Sequence, residues 1–232
     1  DVYKRQIISS TNYSKSINKS PVRLQKLTGN CLYQERILLY MNYDSVPLRD
    51  FKELNDWETV IFVYQSALKQ VETKIDILNG EFQHRHKYNP IEHVKSRIKT
   101  PESIVKKLKR HGYESSIENM VRYVNDIAGI RISCSFTSDI YLIADMISKQ
   151  NDLTILARRD YMKNPKKSGY RSYHMLVTTP VFLSDSIIDT KVEIQIRTVA
   201  QDFWATLEHK MHYKFEGDGP DYITCLLYTS DA

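Results

Sequence analysis

Arg97, Lys99, Ser103 and Lys107 fall within one short run, RIKTPESIVKK, and all four are residue types that grip phosphate. Residues two apart on extended backbone point the same way, so Arg97 and Lys99 share a face, while Ser103 and Lys107 are i,i+4 neighbours on the helix that follows. Thr100 can cap that helix and Pro101 suits its first turn, so the four side chains are expected to converge near its N-terminus. A helix N-terminus already offers unpaired N–H groups and partial positive charge, and cations added there make a polyphosphate site. The alternative reading is a solvated basic face.

Two carboxylates complement these cations. Asp126 opens the apolar run DIAGIRISCSF, and Glu193 sits in the middle of KVEIQIR. A carboxylate pair from neighbouring strands suits Mg²⁺, which keeps several waters and bridges phosphate oxygens during phosphoryl-type transfer. The plainer alternative is that each carboxylate pairs with a nearby cation such as Arg131 or Arg197. The loop NPKKSGYRSYH, residues 164–174, offers Tyr170 as a flat stacking surface with Lys166, Lys167 and Arg171 around it. Otherwise it is a basic surface turn, with Tyr173 and His174 packing as strand residues. His84, His86, His209 and His212 lack acidic or Cys companions and read as structural. No GxxxxGK[ST], GxGxxG, HExxH or GxSxG occurs, which removes support for P-loop, dinucleotide, zincin and nucleophile-elbow chemistry.

Positioning these residues takes helices and strands that the pattern locates. Val60, Val63, Tyr64, Ala67, Leu68, Val71, Ile75 and Leu78 recur at three- and four-residue steps, giving an amphipathic helix from about Asn55 to near Gly80. The helix after Thr100 buries Ile104, Val105 and Leu108. A strand over 126–136 leads to a helix from about Ser138 with Ile140, Ile143, Ala144 and Ile147 inward; further strands cover 153–157 and 173–179. KVEIQIR alternates strictly, with Val192, Ile194 and Ile196 on one face and Lys191, Glu193, Gln195 and Arg197 on the other. A last helix from Val199 is expected to turn Ala200, Phe203, Trp204, Leu207 and Met211 to the core.

With 232 residues, the chain suits one catalytic unit. Hydrophobic residues at 41% and charged residues at 26% are ordinary for a globular protein, and no apolar run approaches the ~20 residues of a membrane span. The net charge of +5 suits a polyanionic ligand without demanding nucleic acid. Cys31, Cys134 and Cys225 are odd in number and form no CxxC, which fits a reducing cytoplasm rather than a disulfide framework or zinc site. No secretion signal opens the chain. Residues 1–50, rich in Ser, Asn, Lys and Tyr, read as a poorly ordered or accessory segment, 51–216 as the catalytic domain, and 217–232 as a tail. The terminal runs DVYKRQ and CLLYTSDA carry no structural pattern and read as foreign to the native chain.

RIKTPESIVKKLKR, DIAGIRISCSF, DYMKNPKKSGYRSYH and VEIQIRTVAQDFWATLEHKMHYK resemble, in order and spacing, the synthetase motifs of the RelA/SpoT-homologue enzymes, in the version found in small alarmone synthetases. The resemblance covers residues 91–214, about half of the chain. It implies a nucleotidyltransferase-like α/β (α+β) domain, a mixed sheet flanked by helices with N- and C-terminal helical extensions. The implied activity transfers pyrophosphate from ATP to the 3′-hydroxyl of GTP or GDP, giving pppGpp or ppGpp and AMP. By the same resemblance Arg97 and Arg131 sandwich adenine, Lys99, Ser103 and Lys107 hold the ATP phosphates, and Asp126 and Glu193 hold Mg²⁺, Glu193 also receiving the 3′-proton. Tyr170 stacks on guanine, and Tyr161, Lys166, His174, Gln195 and Arg197 line the acceptor side. Homotetramer formation and (p)ppGpp or single-stranded RNA as allosteric ligands belong to the same expectation. There is no His-Asp dipeptide, so the hydrolase domain of long relatives is not expected. Two alternatives stay open at this point: a toxic relative that pyrophosphorylates the tRNA 3′ end, and a non-catalytic nucleotide- or RNA-binding module.

Overall fold

The computed structural model describes residues 56–215, with side chains to residue 210. The segment 1–50, the tail 217–232, Cys31 and Cys225 lie outside the described residues, as do the side chains of Met211 and His212. Within them the order is α1 (Trp57–His86), β1 (Ile91–Ile98), α2 (Pro101–Arg110), α3 (Ile117–Tyr123), β2 (Ala128–Cys134), α4 (Thr137–Ser148), β3 (Thr154–Asp160), β4 (Tyr173–Phe182), β5 (Ile187–Thr198) and α5 (Val199–Phe215). The strands form one mixed sheet in the order β1-β2-β5-β4-β3, with β2 and β5 parallel and the other neighbours antiparallel. The expected mixed sheet flanked by helices is therefore present.

Alternation in β5 explains how the sheet gets two unlike faces. Val192, Ile194 and Ile196 are fully buried and join Ile130 and Ile132 of β2, the inward residues of α1 and those of α4 in one core. Burying each such side chain is worth about 1.5–3 kcal/mol. A one-residue slip of β5 would expose all three, so the register is pinned and the opposite face is left polar. There, Gly129, Arg131 and Ser133 of β2 lie beside Glu193, Gln195 and Arg197 of β5 in parallel register.

Several elements depart from the sequence reading. Helix α1 runs six residues past Gly80, to His86, where Lys87 takes a left-handed conformation at φ 49°. Gly80 faces open space and costs only about 1 kcal/mol relative to Ala, too little to end a helix whose buried stripe already holds it. Asp126 lies two residues before β2, in the turn after α3, rather than on the strand. Strands β3, β4 and β5 are each longer than read; β4 even includes Pro180, tolerated where β3 has ended and β4 keeps one neighbour. The sequence pattern marks neither the short helix α3 nor, beyond an extended approach to α2, the strand β1.

The largest correction concerns α5. Among the described side chains it buries Asp202, Trp204 and Ala205, whereas Ala200, Phe203 and Leu207 face outward, Phe203 at 60% exposure. An amphipathic pattern assumes an apolar partner surface. This helix instead packs over the polar face of β2 and β5, so its charged Asp202 is the residue turned inward. No helix among the described residues is long and apolar enough to cross a membrane.

Candidate active site

Helix α2 starts as expected. Thr100 caps it, its Oγ1 accepting from the N–H of Ser103, and Pro101 opens the first turn. Lys99 Nζ lies 2.8 Å from Asp126 Oδ2 and Lys107 Nζ 2.6 Å from Oδ1, so each oxygen of Asp126 meets its own ammonium. Burial raises the Asp126 carboxyl, yet Lys107 and then Lys99 outweigh it and hold the group down at about 2. Arg97 lines a cavity of about 200 Å³ together with Asp126, Gly129, Arg131, Glu193 and Gln195. Ser103 is not drawn into that group; it stays exposed at the cap, accepting from Thr100 Oγ1 at 3.0 Å.

The turn that carries Asp126 has a support the sequence did not reveal. Lys191, 4% exposed, reaches from β5 to Asn125 Oδ1 at 2.7 Å and to the carbonyl of Arg122 at 3.1 Å. Burial draws its ammonium down to about 8. By alternation it falls with the polar residues on the open face of β5; only tertiary structure covers it with α3.

Glu193 anchors a second group. Gln195 Nε2 donates to Glu193 Oε2 at 2.9 Å, while its Oε1 accepts from Arg197 Nη2 at 2.6 Å. Arg197 Nη2 also donates to Tyr170 Oη at 3.1 Å, and Tyr170 Oη lies 2.9 Å from His174 Nε2. His174 Nδ1 is 3.4 Å from Glu193 Oε1, closing the ring of contacts. Burial keeps His174 below its ordinary value, so the neutral ring is favoured. A neutral ring beside a carboxylate keeps its proton on Nδ1, which assigns Nε2 as the acceptor of the Tyr170 hydroxyl. Burial also raises Glu193, but the hydrogen bonds from His174 and Gln195 leave it below the usual glutamate value.

The loop between β3 and β4 shapes this side. Gly169, at φ +83°, turns the chain so that Tyr170 packs on Trp204 and Ala205 of α5. Lys166 Nζ lies 4.6 Å from the Tyr170 ring centroid and 4.9 Å from that of Tyr161, and Tyr161 meets His174 edge to face at 5.1 Å. Tyr161, Lys166, Tyr170, His174, Gln195 and Arg197 thus come together as expected. His174 belongs to the site rather than only to its strand. Asp126 does take the plain pairing with cations, through Lys99 and Lys107 rather than Arg131, whereas Glu193 meets His174 and Gln195 rather than Arg197. Both arginines meet Asp202, which sequence reasoning missed because it was assigned to no face of α5.

Asp126 and Glu193 therefore face one cavity, with ammonium groups on one flank and an aromatic, histidine-bearing wall on the other. Among the described residues no three His, Cys, Asp or Glu side chains form a metal cluster. Two carboxylates are nonetheless the donor set Mg²⁺ takes when substrate phosphates complete its shell. Each of their oxygens has one recorded partner and retains a lone pair. The donor set fits the ion.

A pocket lined by carboxylates and guanidinium groups and joined to an aromatic wall suits an anionic ligand that carries an aromatic ring. A family model described as a region found in RelA / SpoT proteins matches residues 96–218. GTP pyrophosphokinase YwaC of Bacillus subtilis is 46% identical over 171 residues, covering 74% of this chain and 81% of the relative. The crystal structure of small alarmone synthetase 2 from Bacillus subtilis superposes with a TM-score of 0.67 at 44% identity, covering 76% of this chain and 91% of the other. That of small alarmone synthetase 1 from the same organism, bound to its product pppGpp, gives 0.67 at 34% identity, covering 75% and 89%. The same synthetase is also known bound to AMPCPP, with a TM-score of 0.63 at 32% identity and coverage of 75% and 88%. This chain belongs to the RelA/SpoT family, in its small alarmone synthetase class.

Proposed function

We propose that the chain is a GTP pyrophosphokinase that moves pyrophosphate from ATP to the 3′-hydroxyl of GTP or GDP, releasing AMP. The observation that carries this reading is the single cavity shared by Asp126, Glu193, Arg97 and Arg131, joined through Gln195 to the Tyr170 wall. The 3′-oxygen attacks the β-phosphorus as the bond from that phosphorus to the oxygen retained by AMP breaks. Such transfer depends on positioning and charge neutralisation more than on covalent help. Lys99 and Lys107 already stand beside Asp126 and can turn to the ATP phosphates; Ser103 borders them at the helix cap. Arg97 and Arg131 flank the adenine.

On the acceptor side Tyr170 stacks on guanine, with exposed Lys166 the partner free to move aside. Tyr161, His174, Gln195 and Arg197 line the ribose and phosphates. Glu193 accepts the hydrogen bond of the 3′-hydroxyl and takes its proton as the new O–P bond forms; its depressed proton affinity then favours passing that proton on to solvent. Asp126 and Glu193 would hold Mg²⁺, which when bound neutralises charge on the transferring group.

Incubation with β-labelled ATP and either GTP or deacylated tRNA tests the acceptor. Label on GTP is expected, and label on tRNA alone would replace this reading with the toxin-like one. The reading extends to a homotetramer, supported by the exposed apolar residues Val199, Phe203 and Leu207 at four-residue steps on α5. It also extends to regulation by an anion, (p)ppGpp or single-stranded RNA, supported by the net charge and exposed Lys106 and Lys109. A cytoplasmic location, where ATP and GTP are abundant, completes it.

A further inference from the structure

Asp202 is the charged residue on the buried side of α5. It is 7% exposed, sits in the first turn of α5 and points at the polar face of the sheet. Its Oδ1 lies 3.3 Å from Arg131 Nη1 and 3.5 Å from Arg197 Nη1, ion-pair distances without hydrogen-bond alignment. Arg131 is on β2 and Arg197 on β5, and under the proposed function the first faces ATP and the second the guanine nucleotide. One carboxylate oxygen thus stands between a donor-side and an acceptor-side guanidinium.

The surroundings make that position consequential. Arg131 and Arg197 are close enough for each cation to oppose the other, and Arg197 is 2% exposed, so solvent does little to screen the repulsion. Arg131 Nε, Arg197 Nε and Ser133 Oγ are buried without a hydrogen-bond partner, and Asp202 is the carboxylate at ion-pair distance from both guanidinium groups. Arg197 in turn bonds Gln195 and Tyr170, which connects any movement of its head group to the acceptor wall.

We propose that Asp202 is a positioning residue that holds the donor-side Arg131 and the acceptor-side Arg197 together, so that both substrates depend on one carboxylate that touches neither. The inference rests on the functional reading given above. Asp202→Asn removes the charge at nearly constant shape; Asp202→Glu keeps it.

Affinities for AMPCPP and for GTP, measured separately by calorimetry, and both KM values test this directly. In Asp202→Asn each is expected to weaken by about tenfold or more, with kcat falling less, because two charged contacts are lost while the cavity persists. Asp202→Glu is expected to restore at least part of both. A change confined to one nucleotide, or to neither, overturns the proposal. Should Asp202→Asn fail to fold, Arg131→Gln reads the same link from the other end. Asp202 would then pull on Arg197 alone, and GTP affinity is expected to drop about threefold although Arg131 faces ATP; unchanged GTP affinity sinks the idea. A wild-type chain that binds neither nucleotide overturns the functional reading itself, and this inference with it.

Discussion

The two flanks of the cavity are built from different materials. On the proposed ATP side, Lys99, Lys107 and Asp126 form a compact charge cluster in which every carboxylate oxygen meets an ammonium. On the proposed guanine side, Tyr170, His174, Gln195, Arg197 and Glu193 form a ring of polar contacts in which burial favours the neutral histidine and the aromatic is packed on α5. The first flank resists acid and works by charge. The second works by geometry, and depends on burial and on each member holding the next. A polyphosphate can be held by flexible cations from many angles, whereas a base and a sugar hydroxyl need a fixed wall.

Removing the shared carboxylates should erase the difference. Asp126→Asn and Glu193→Gln are each expected to lower AMP production by roughly 10²–10⁴-fold, measured with saturating ATP and GTP. Activity retained in both would show that the two flanks do not meet at a metal. Next in size is Tyr170→Ala, which should raise KM for GTP far more than KM for ATP, since stacking on an aromatic is worth about 1–3 kcal/mol per base. An equal rise in KM for ATP would mean the flanks are not separate.

Acidification distinguishes them more gently. His174 has a folded-state value below 6.5, so its contribution is intact above that pH and is lost as protonation is forced below it. Asp126, held at about 2 against 3.8, keeps its contribution until the pH falls below about 3.8. As the pH is lowered from about 8, KM for GTP should therefore begin to rise before KM for ATP does; the reverse order would contradict the assignment.

Lys191→Met probes the support under the ATP side. It leaves Arg122 O and Asn125 Oδ1 without their ammonium but no longer buries a charge, so the net loss of stability should be only about 1 kcal/mol by thermal unfolding. Gly169→Ala should also be mild, about 1–2 kcal/mol, from the left-handed φ and a methyl placed 3.4 Å from Trp204. Its effect should fall on GTP rather than ATP.

By itself the sequence determined what local physics can decide: the Thr100 cap, the α4 stripe and, except for half-buried Val105, that of α2, the alternation that pins β5, and through them the polar strip carrying Glu193, Gln195 and Arg197. Its ordered motifs also identified the family. The position of Asp126 off the strand, the burial of Lys191 under α3, the tautomer of His174 and the inward turn of Asp202 were decided only by tertiary structure. Each depends on what packs against the element from outside it. Periodicity tells which residues share a face; it does not tell whether that face meets an apolar core, as on α4, or a row of arginines, as on α5.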